Sequence, residues 1–340
     1  MPKLVGNLPI IDLSELDNNE SSAHFYENLR ITAREIGFFY LRGHGIDLAK
    51  IRAIEKQTRA FFELPQAQKD AIDMKNSPHF RGYTAIKTEI TRKKLDYREQ
   101  IDIGAELPVF ATNPTSPAWH KLQGPNLWPE SLPEFKPLIL DWQASLRELS
   151  IRLLRAFMHA LGQPANALDH LIDGTPAHLL KLIHYPSSDN SEDTQGVGAH
   201  KDNGILTLLL QDTVGGLQVE TSAGWIDVAP VADAFIINIG ETLELATNGY
   251  LRANVHRVIT PKHGQDRYSI AYFLSPDLTS TIPLLPLDKE LAKLALGPES
   301  DPDNPLFRSV GDNALKGRLR SHLEVTKRFY PEQYAQGNIY

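Results

Sequence analysis

The 340-residue sequence contains no cysteine. That absence excludes a disulfide framework, a thiolate zinc site, an iron–sulfur cluster and a cysteine nucleophile. Any transition metal must then be held by imidazole and carboxylate. No stretch approaches the ~18 consecutive apolar residues of a membrane span, so none is expected. The opening MPKLVGNLPIIDL meets Gly6, Asn7 and Pro9 too early to form the apolar centre of a signal peptide. Long basic runs are also lacking, and 42 acidic against 35 basic side chains leave a formal charge of −7. Nucleic-acid binding is therefore not expected, and a soluble cytoplasmic protein is.

What is present is ordinary globular material: 41% hydrophobic residues, enough for a substantial core without covalent staples. Leu8 to Leu13 reads as a strand, 22–37 as a helix stopped by Gly37, and 38–46 as an aromatic strand broken at Gly43 and Gly45. Helices are predicted over 47–63 and 136–162, with a long Pro-, Asn- and Ser-rich loop over 106–136. From about residue 178 the period changes. Short apolar runs (HLLKLIHYP, GILTLLLQD, GLQVE, GWIDVAP, AFIINIG, HRVIT, RYSIAYFL) alternate with turn signals, which indicates an all-β sandwich or barrel. Helix returns from about 310. The fold class is mainly β with flanking α, read as one unit over 1–340. Within it, 1–120 frames the core, 176–280 is the core, and 281–340 is a C-terminal extension with a closing helix.

The β region contains GVGAHKDNGILTLLLQD, in which His200 and Asp202 stand two apart and face the same side of extended backbone. His256, in NVHRV, supplies a second imidazole. Two histidines and one carboxylate leave octahedral positions open, as in the facial triad of non-haem Fe(II) oxygenases. His178, His184 and His263 read equally well as core histidines, and spacing does not choose among them. After His256 comes RYSIAYF, with Arg267 and Ser269 again two apart. An Arg fork and a hydroxyl together suit a dicarboxylate beside the metal.

The combined text HKD…H-x10-R-x-S, with GGLQV and GWIDVAP between, closely resembles the 2-oxoglutarate/Fe(II)-dependent dioxygenases, and more narrowly their isopenicillin N synthase-like branch. LPIIDLS, IGFFYLRGHGI, FFELP, RGY, HYP, LLLQDTVGGLQV and INIGETLELATNGYLRANVHRV extend the resemblance over nearly the whole chain. It implies a double-stranded β-helix, or jelly roll, with Fe(II) on His200, Asp202 and His256. Arg267 and Ser269 would hold the distal carboxylate of 2-oxoglutarate, with Tyr185 hydrogen-bonding the co-substrate. O2 would complete the reactants, with succinate and CO2 released as a small metabolite is hydroxylated or desaturated. Ile183 stands where much of the plant branch has Asn, Lys201 where Thr or Ser is common, and Glu241 where Asp is frequent.

Strand parity extends the site. If Tyr185 points inward so do Ile183 and Lys181, and if Arg267 and Ser269 do, so do Ala271 and Phe273. A Lys inside an apolar barrel requires an anionic or polar partner. The expectation is that Lys181 meets a carboxylate or phenolate on a small acidic or phenolic substrate; a strand-end Lys reaching solvent is the alternative. Tyr83, in the RGY stretch, and Arg98 are further substrate candidates, although Arg98 could simply pair with Asp96 or Glu99. Two other functions share these motifs. An oxidase of the isopenicillin N synthase or aminocyclopropane-carboxylate oxidase type uses R-x-S without consuming 2-oxoglutarate, and a metal-containing binding protein would keep the fold without turnover.

Overall fold

The computed structural model describes residues 4–5, 8–17, 22–190, 194–262, 264–299 and 304–337. Its long helix, Phe135–Ala160, buries Ile139, Trp142, Leu146, Leu149, Leu153 and Phe157 at three- and four-residue spacings, which places them on one stripe. Leu48–Phe62 starts where Asp47 accepts the Ala49 N–H at 2.8 Å, a side-chain cap for an otherwise orphaned donor. Ser22–Glu35 stops before Gly37 (φ +67°), where a Cβ would lie 2.6 Å from the Arg252 carbonyl oxygen.

The helices lean on a nine-stranded sheet. Its order is Leu4–Val5, Leu8–Asp12, Phe38–Arg42, Phe235–Ile239, Leu206–Gln211, Arg267–Leu274, Leu179–Tyr185, Glu99–Gly104, Gly82–Thr84. A four-stranded sheet, Gly224–Asp227, Leu217–Thr221, His256–Ile259 and Gln195–His200, faces it. Leu180, Leu182, Leu208, Ile237 and Tyr272 pack outward with the Phe135–Ala160 helix. Ile183, Tyr185, Ile236 and Ala271 pack inward with Val197, Leu217, Val219 and Val258 of the small sheet. A sheet covered on both faces reads as unbroken apolar runs, which is why LTLLLQ and FIINI lack alternation. The two sheets form the expected jelly roll.

Among the strands that escape sequence reading are two buried ones. Glu99–Gly104 is wholly buried although it carries Glu99, Gln100 and Asp102, and Gly82–Thr84 pairs beside it. The single closing helix becomes Val310–Ser321, Leu323–Phe329 and Pro331–Ala335. Leu315, Leu319, Val325 and Tyr330 pack with Met74, Phe80 and Leu122, so the C-terminal segment closes on the N-terminal one. Among the described residues no helix is long and apolar enough to cross a membrane.

Candidate active site: a metal triad and a charged outer wall

His200 ends one strand of the small sheet and stands opposite His256 on its neighbour. Asp202 follows in the loop to Leu206–Gln211. One ligand atom from each residue lies within 4.8 Å of the others. Asp202 Oδ1 is 3.5 Å from His200 Nε2 and 3.6 Å from His256 Nε2. Their remaining polar atoms are already engaged. His200 Nδ1 is 2.8 Å from the Gly198 carbonyl and His256 Nδ1 is 3.2 Å from that of Asn254. Asp202 Oδ2 accepts from the Thr207 hydroxyl at 2.6 Å and from Asn238 Nδ2 at 2.8 Å. Outer partners of this kind orient metal ligands and select the tautomer. Each side chain is left with one free donor atom aimed at a common point, a set that fits Fe(II).

The surrounding backbone is equally specific. Gly240 crosses so closely that a Cβ would lie 1.9 Å from the Gly204 carbonyl oxygen, and the Glu241 N–H donates to the Asp202 carbonyl at 2.7 Å. Burial pushes the Asp202 carboxyl up, but His256 and His200 outweigh it and hold it far below the usual carboxylate range. Burial pushes His256 down to about 4 against the pull of Asp202, so its imidazole is neutral at neutral pH, as a ligand must be.

A cavity of about 1140 Å³ opens on the triad. Lys181, Ile183, Tyr185, Arg267, Ser269, Ala271 and Phe273 all line it, as parity requires. At its deep end Arg267 is fully buried. The guanidinium donates to Ser269 Oγ at 3.3 Å and Gln211 Oε1 at 3.2 Å and stacks 4.8 Å from the Tyr185 ring, while its Nε is buried without a partner. Among the described residues it has no carboxylate. A buried charge without a counter-ion is strongly unfavourable, so this end is built for a ligand anion.

Another wall is a network of charges, and its Arg98 reaches Tyr185 through a side-chain hydrogen bond. Glu89 accepts from Arg98 at 2.9 Å and from Lys181 at 3.2 Å. Arg98 also pairs with Asp96 at 3.2 Å. Asp102 pairs with Arg318 at 2.6 Å and Lys181 at 3.6 Å. Burial raises the Glu89 and Asp102 carboxyls, yet Arg98 and Lys181 hold Glu89, and Lys181 and Arg318 hold Asp102, below the ordinary range.

This wall corrects three substrate expectations. Lys181 does face the cavity, but Glu89 and Asp102 of the chain itself occupy its ammonium. Arg98 lines the cavity too, paired with Asp96 and Glu89. Tyr83 does not line it: the ring packs in the core against Phe61 and its hydroxyl donates to Glu99 at 2.6 Å. Gly82, at φ +118°, breaks the alternation, so Arg81 rather than Tyr83 faces the cavity. His184 points away, held between Glu99 and Asp266 and stacked on Tyr268, whereas His178 is buried with both ring nitrogens unpartnered. His263 lies outside the described residues. Arg81 stands in the RGY stretch that offers Tyr83 as a candidate, whereas Glu89, Asp102 and Arg318 carry no local signal that could have marked them. Glu241, which stands where Asp is frequent, lines the cavity with Oε2 buried and unpartnered, and burial pushes it up to about 7.

A jelly roll that presents two imidazoles and one carboxylate beside an anion-ready cavity defines the non-haem iron oxygenase class. Residues 8–131 match the family described as the non-haem dioxygenase in morphine synthesis N-terminal region, and residues 176–276 match the 2OG-Fe(II) oxygenase superfamily. The chain is 34% identical to the 2-oxoglutarate-dependent dioxygenase frbJ of Dothideomycetidae sp. (strain 11243), over 96% of this chain and 93% of that one. It is 32% identical to a homoarginine-6-hydroxylase of Oryza sativa subsp. japonica, over 81% and 87% respectively. A full-length Neurospora crassa protein, solved in complex with alpha-KG and thymine, superposes with a TM-score of 0.73 at 25% identity, over 96% and 98%. JOX2 in complex with 2OG, Fe and JA gives 0.68 at 26%, over 92% and 84%. The chain belongs to the 2OG-Fe(II) oxygenase superfamily. It is an oxidoreductase that uses Fe(II) and 2-oxoglutarate.

Proposed function

We propose that the protein hydroxylates or desaturates a small metabolite at a C–H placed beside the triad, while 2-oxoglutarate is converted to succinate and CO2. In hydroxylation one oxygen atom of O2 enters succinate and the other the product; in desaturation the second leaves as water. Bound Fe(II), with 2-oxoglutarate and O2, supplies the oxidising chemistry. The chain's own work is placement and exclusion of water. Arg267 and Ser269 receive the distal carboxylate of 2-oxoglutarate, and Tyr185 flanks it under the guanidinium. Thr207 and Asn238 fix the orientation of Asp202, so its free oxygen would hold Fe(II) together with His200 and His256 at the cavity. Val197, Leu217 and Val258 make the surrounding wall apolar.

One observation carries this reading: Arg267 is buried at the cavity's deep end, and no carboxylate among the described residues neutralises it. The acidic or phenolic substrate expected at Lys181 loses its stated anchor, since that ammonium is neutralised internally. The test is succinate release from Fe(II)-loaded enzyme and 2-oxoglutarate across a metabolite panel, with product mass measured in parallel. Succinate and a product heavier by one oxygen, or lighter by two hydrogens, are expected in equal amounts. Oxidised product without succinate would replace this reading with the 2-oxoglutarate-independent oxidase, as in the aminocyclopropane-carboxylate oxidase of Dictyostelium discoideum, 31% identical over 87% of this chain and 89% of that one.

A further inference from the structure

The charge network of the outer wall does not balance. Its carboxylates are Glu89, Asp96 and Asp102, and its cations are Arg98, Lys181, Arg318 and Arg81. His322, 3.6 Å from Glu89, is pushed down to about 4 by burial and adds no charge at neutral pH. Arg98, Lys181 and Arg318 each pair with a carboxylate, and among the described residues Arg81 does not. Its fork donates only to main-chain carbonyls, Leu122 at 3.3 Å and Phe80 at 3.5 Å, and its Nε is buried without a partner. Burial and the charge of Arg318 pull Arg81 down to about 10 against Asp102 and Tyr330, which still leaves it charged at neutral pH.

The guanidinium has a built bed. It lies against Gly104, where a Cβ would come within 2.3 Å of Nη2 and 2.4 Å of Cζ, so any other residue there would displace it. A glycine at a strand end that admits a side chain this closely marks a deliberate approach. Leu122, whose carbonyl the fork meets, and Ala105, next to Gly104 in sequence, also line the cavity.

Strand register separates this bed from the residue that supports Asp202. Thr207, whose hydroxyl holds Asp202, stands opposite Phe273, Phe273 opposite Leu179, and Leu179 opposite Gly104. Thr207 and Gly104 thus lie on one rung, three strand spacings or about 14 Å apart. Arg267 stands opposite Tyr185, at the far end of the Leu179–Tyr185 strand, about 20 Å along the strand direction from Leu179.

We propose that Arg81 anchors the primary substrate through a single carboxylate, with the oxidised C–H several bonds away at the triad. This rests on the oxygenase reading above. Arg81 is the cation of this network that has no carboxylate partner among the described residues, and its fork matches a carboxylate edge, so a compound with one carboxylate is the class it would take.

The test compares the free acids phenylpropanoate, octanoate and N-acetylleucine with their methyl esters. Each is titrated calorimetrically into full-length protein holding Fe(II) and 2-oxoglutarate, with oxygen excluded. At least one acid should bind about tenfold or more tightly than its ester. Arg81→Gln should bring that ratio close to one, and Arg81→Lys should retain part of it. The proposal is overturned if no acid exceeds its ester, or if Arg81→Gln weakens acid and ester in equal proportion, the mark of a merely structural side chain. Succinate release driven only by neutral or cationic compounds would overturn the anchor and leave the oxygenase reading intact. Absence of succinate across every compound would count against the oxygenase, whatever the acid-to-ester ratio.

Discussion

Both ends of the cavity present a guanidinium that no carboxylate among the described residues neutralises, yet they are assembled in opposite ways. The Arg267 end is local: Arg267 and Ser269 sit two apart on one strand, opposite Tyr185 and Ile183 of the next. The Arg81 end draws on the strand beside Gly82, the segment around Glu89, the Glu99–Gly104 strand, Lys181 and the Val310–Ser321 helix. A short-range motif can specify the first because strand periodicity alone puts its side chains on one face. Only the completed fold can bring the second together. A co-substrate site can therefore be written in a few adjacent residues, while the wall available to the variable substrate is spread over distant ones.

The largest effect should come from the centre that both ends share. Asp202→Ala removes the atom that both imidazoles face and leaves Thr207 and Asn238 without their acceptor. Fe(II) affinity should fall below about one-hundredth of the wild-type value, since loss of outer partners alone costs ten- to hundredfold. Metal content after dialysis and succinate release check this. Wild-type iron loading in the variant would remove Asp202 from the ligand set.

The next effect separates the two ends by stability. Asp102→Asn leaves Lys181 and Arg318 sharing one acid fewer inside the wall, and breaking a buried pair in this way costs about 3–5 kcal/mol. Urea unfolding should show it. The pH dependence has a definite sign. Asp102 and Glu89 are held below their ordinary values, so the stability they contribute is present above about pH 4 and is lost as pH falls further. Asp102→Asn should flatten part of that acid limb. An unchanged limb would mean that the network does not hold the wall together.

Arg267→Gln should behave in the reverse manner. It removes a buried cation that has no acid partner among the described residues, so folding stability should change little, while the KM for 2-oxoglutarate rises by about 30- to 4000-fold, the equivalent of 2–5 kcal/mol. Steady-state kinetics beside a urea melt tests both halves. A large stability loss with an unchanged KM would reverse the assignment of the two ends.

The same contrast explains what can be read from the linear chain. The long helix, the capped Leu48–Phe62 helix and the jelly-roll strands follow from periodicity and turn residues. The inward face of Lys181 follows from parity, but its partner Glu89 lies 92 positions upstream in a segment with no apolar pattern. Tyr83 faces the core instead of the cavity because Gly82 takes a positive φ that alternation does not anticipate. Glu99–Gly104 escapes notice as a strand because its buried carboxylates answer to Lys69, His184, Lys181 and Arg318 rather than to solvent. Polar strands look like loops until their counter-ions are known.

The smallest expected effect lies at the edge of the outer wall. His178 immediately precedes Leu179, is buried, and packs 5.4 Å from the Tyr272 ring with neither nitrogen hydrogen-bonded. Burial, reinforced by Arg81 and Arg147, pushes it down to about 4. The imidazole is neutral in the fold and gains its proton more readily when unfolded. Its effect on stability is therefore negligible above about pH 6.5 and increasingly unfavourable as pH falls toward 4. This window lies above that of Asp102 and Glu89, so a pH series of urea melts resolves the two. His178→Phe retains a ring of similar shape and removes the unsatisfied nitrogens, so at pH 7 it should be neutral or stabilising by about 1 kcal/mol. Between pH 6.5 and 4 the variant should lose less stability than the wild type, with the limb below pH 4 unaltered. A steeper loss in His178→Phe would show that the ring is charged in the fold, and that the wall carries a larger positive surplus than Arg81 alone provides.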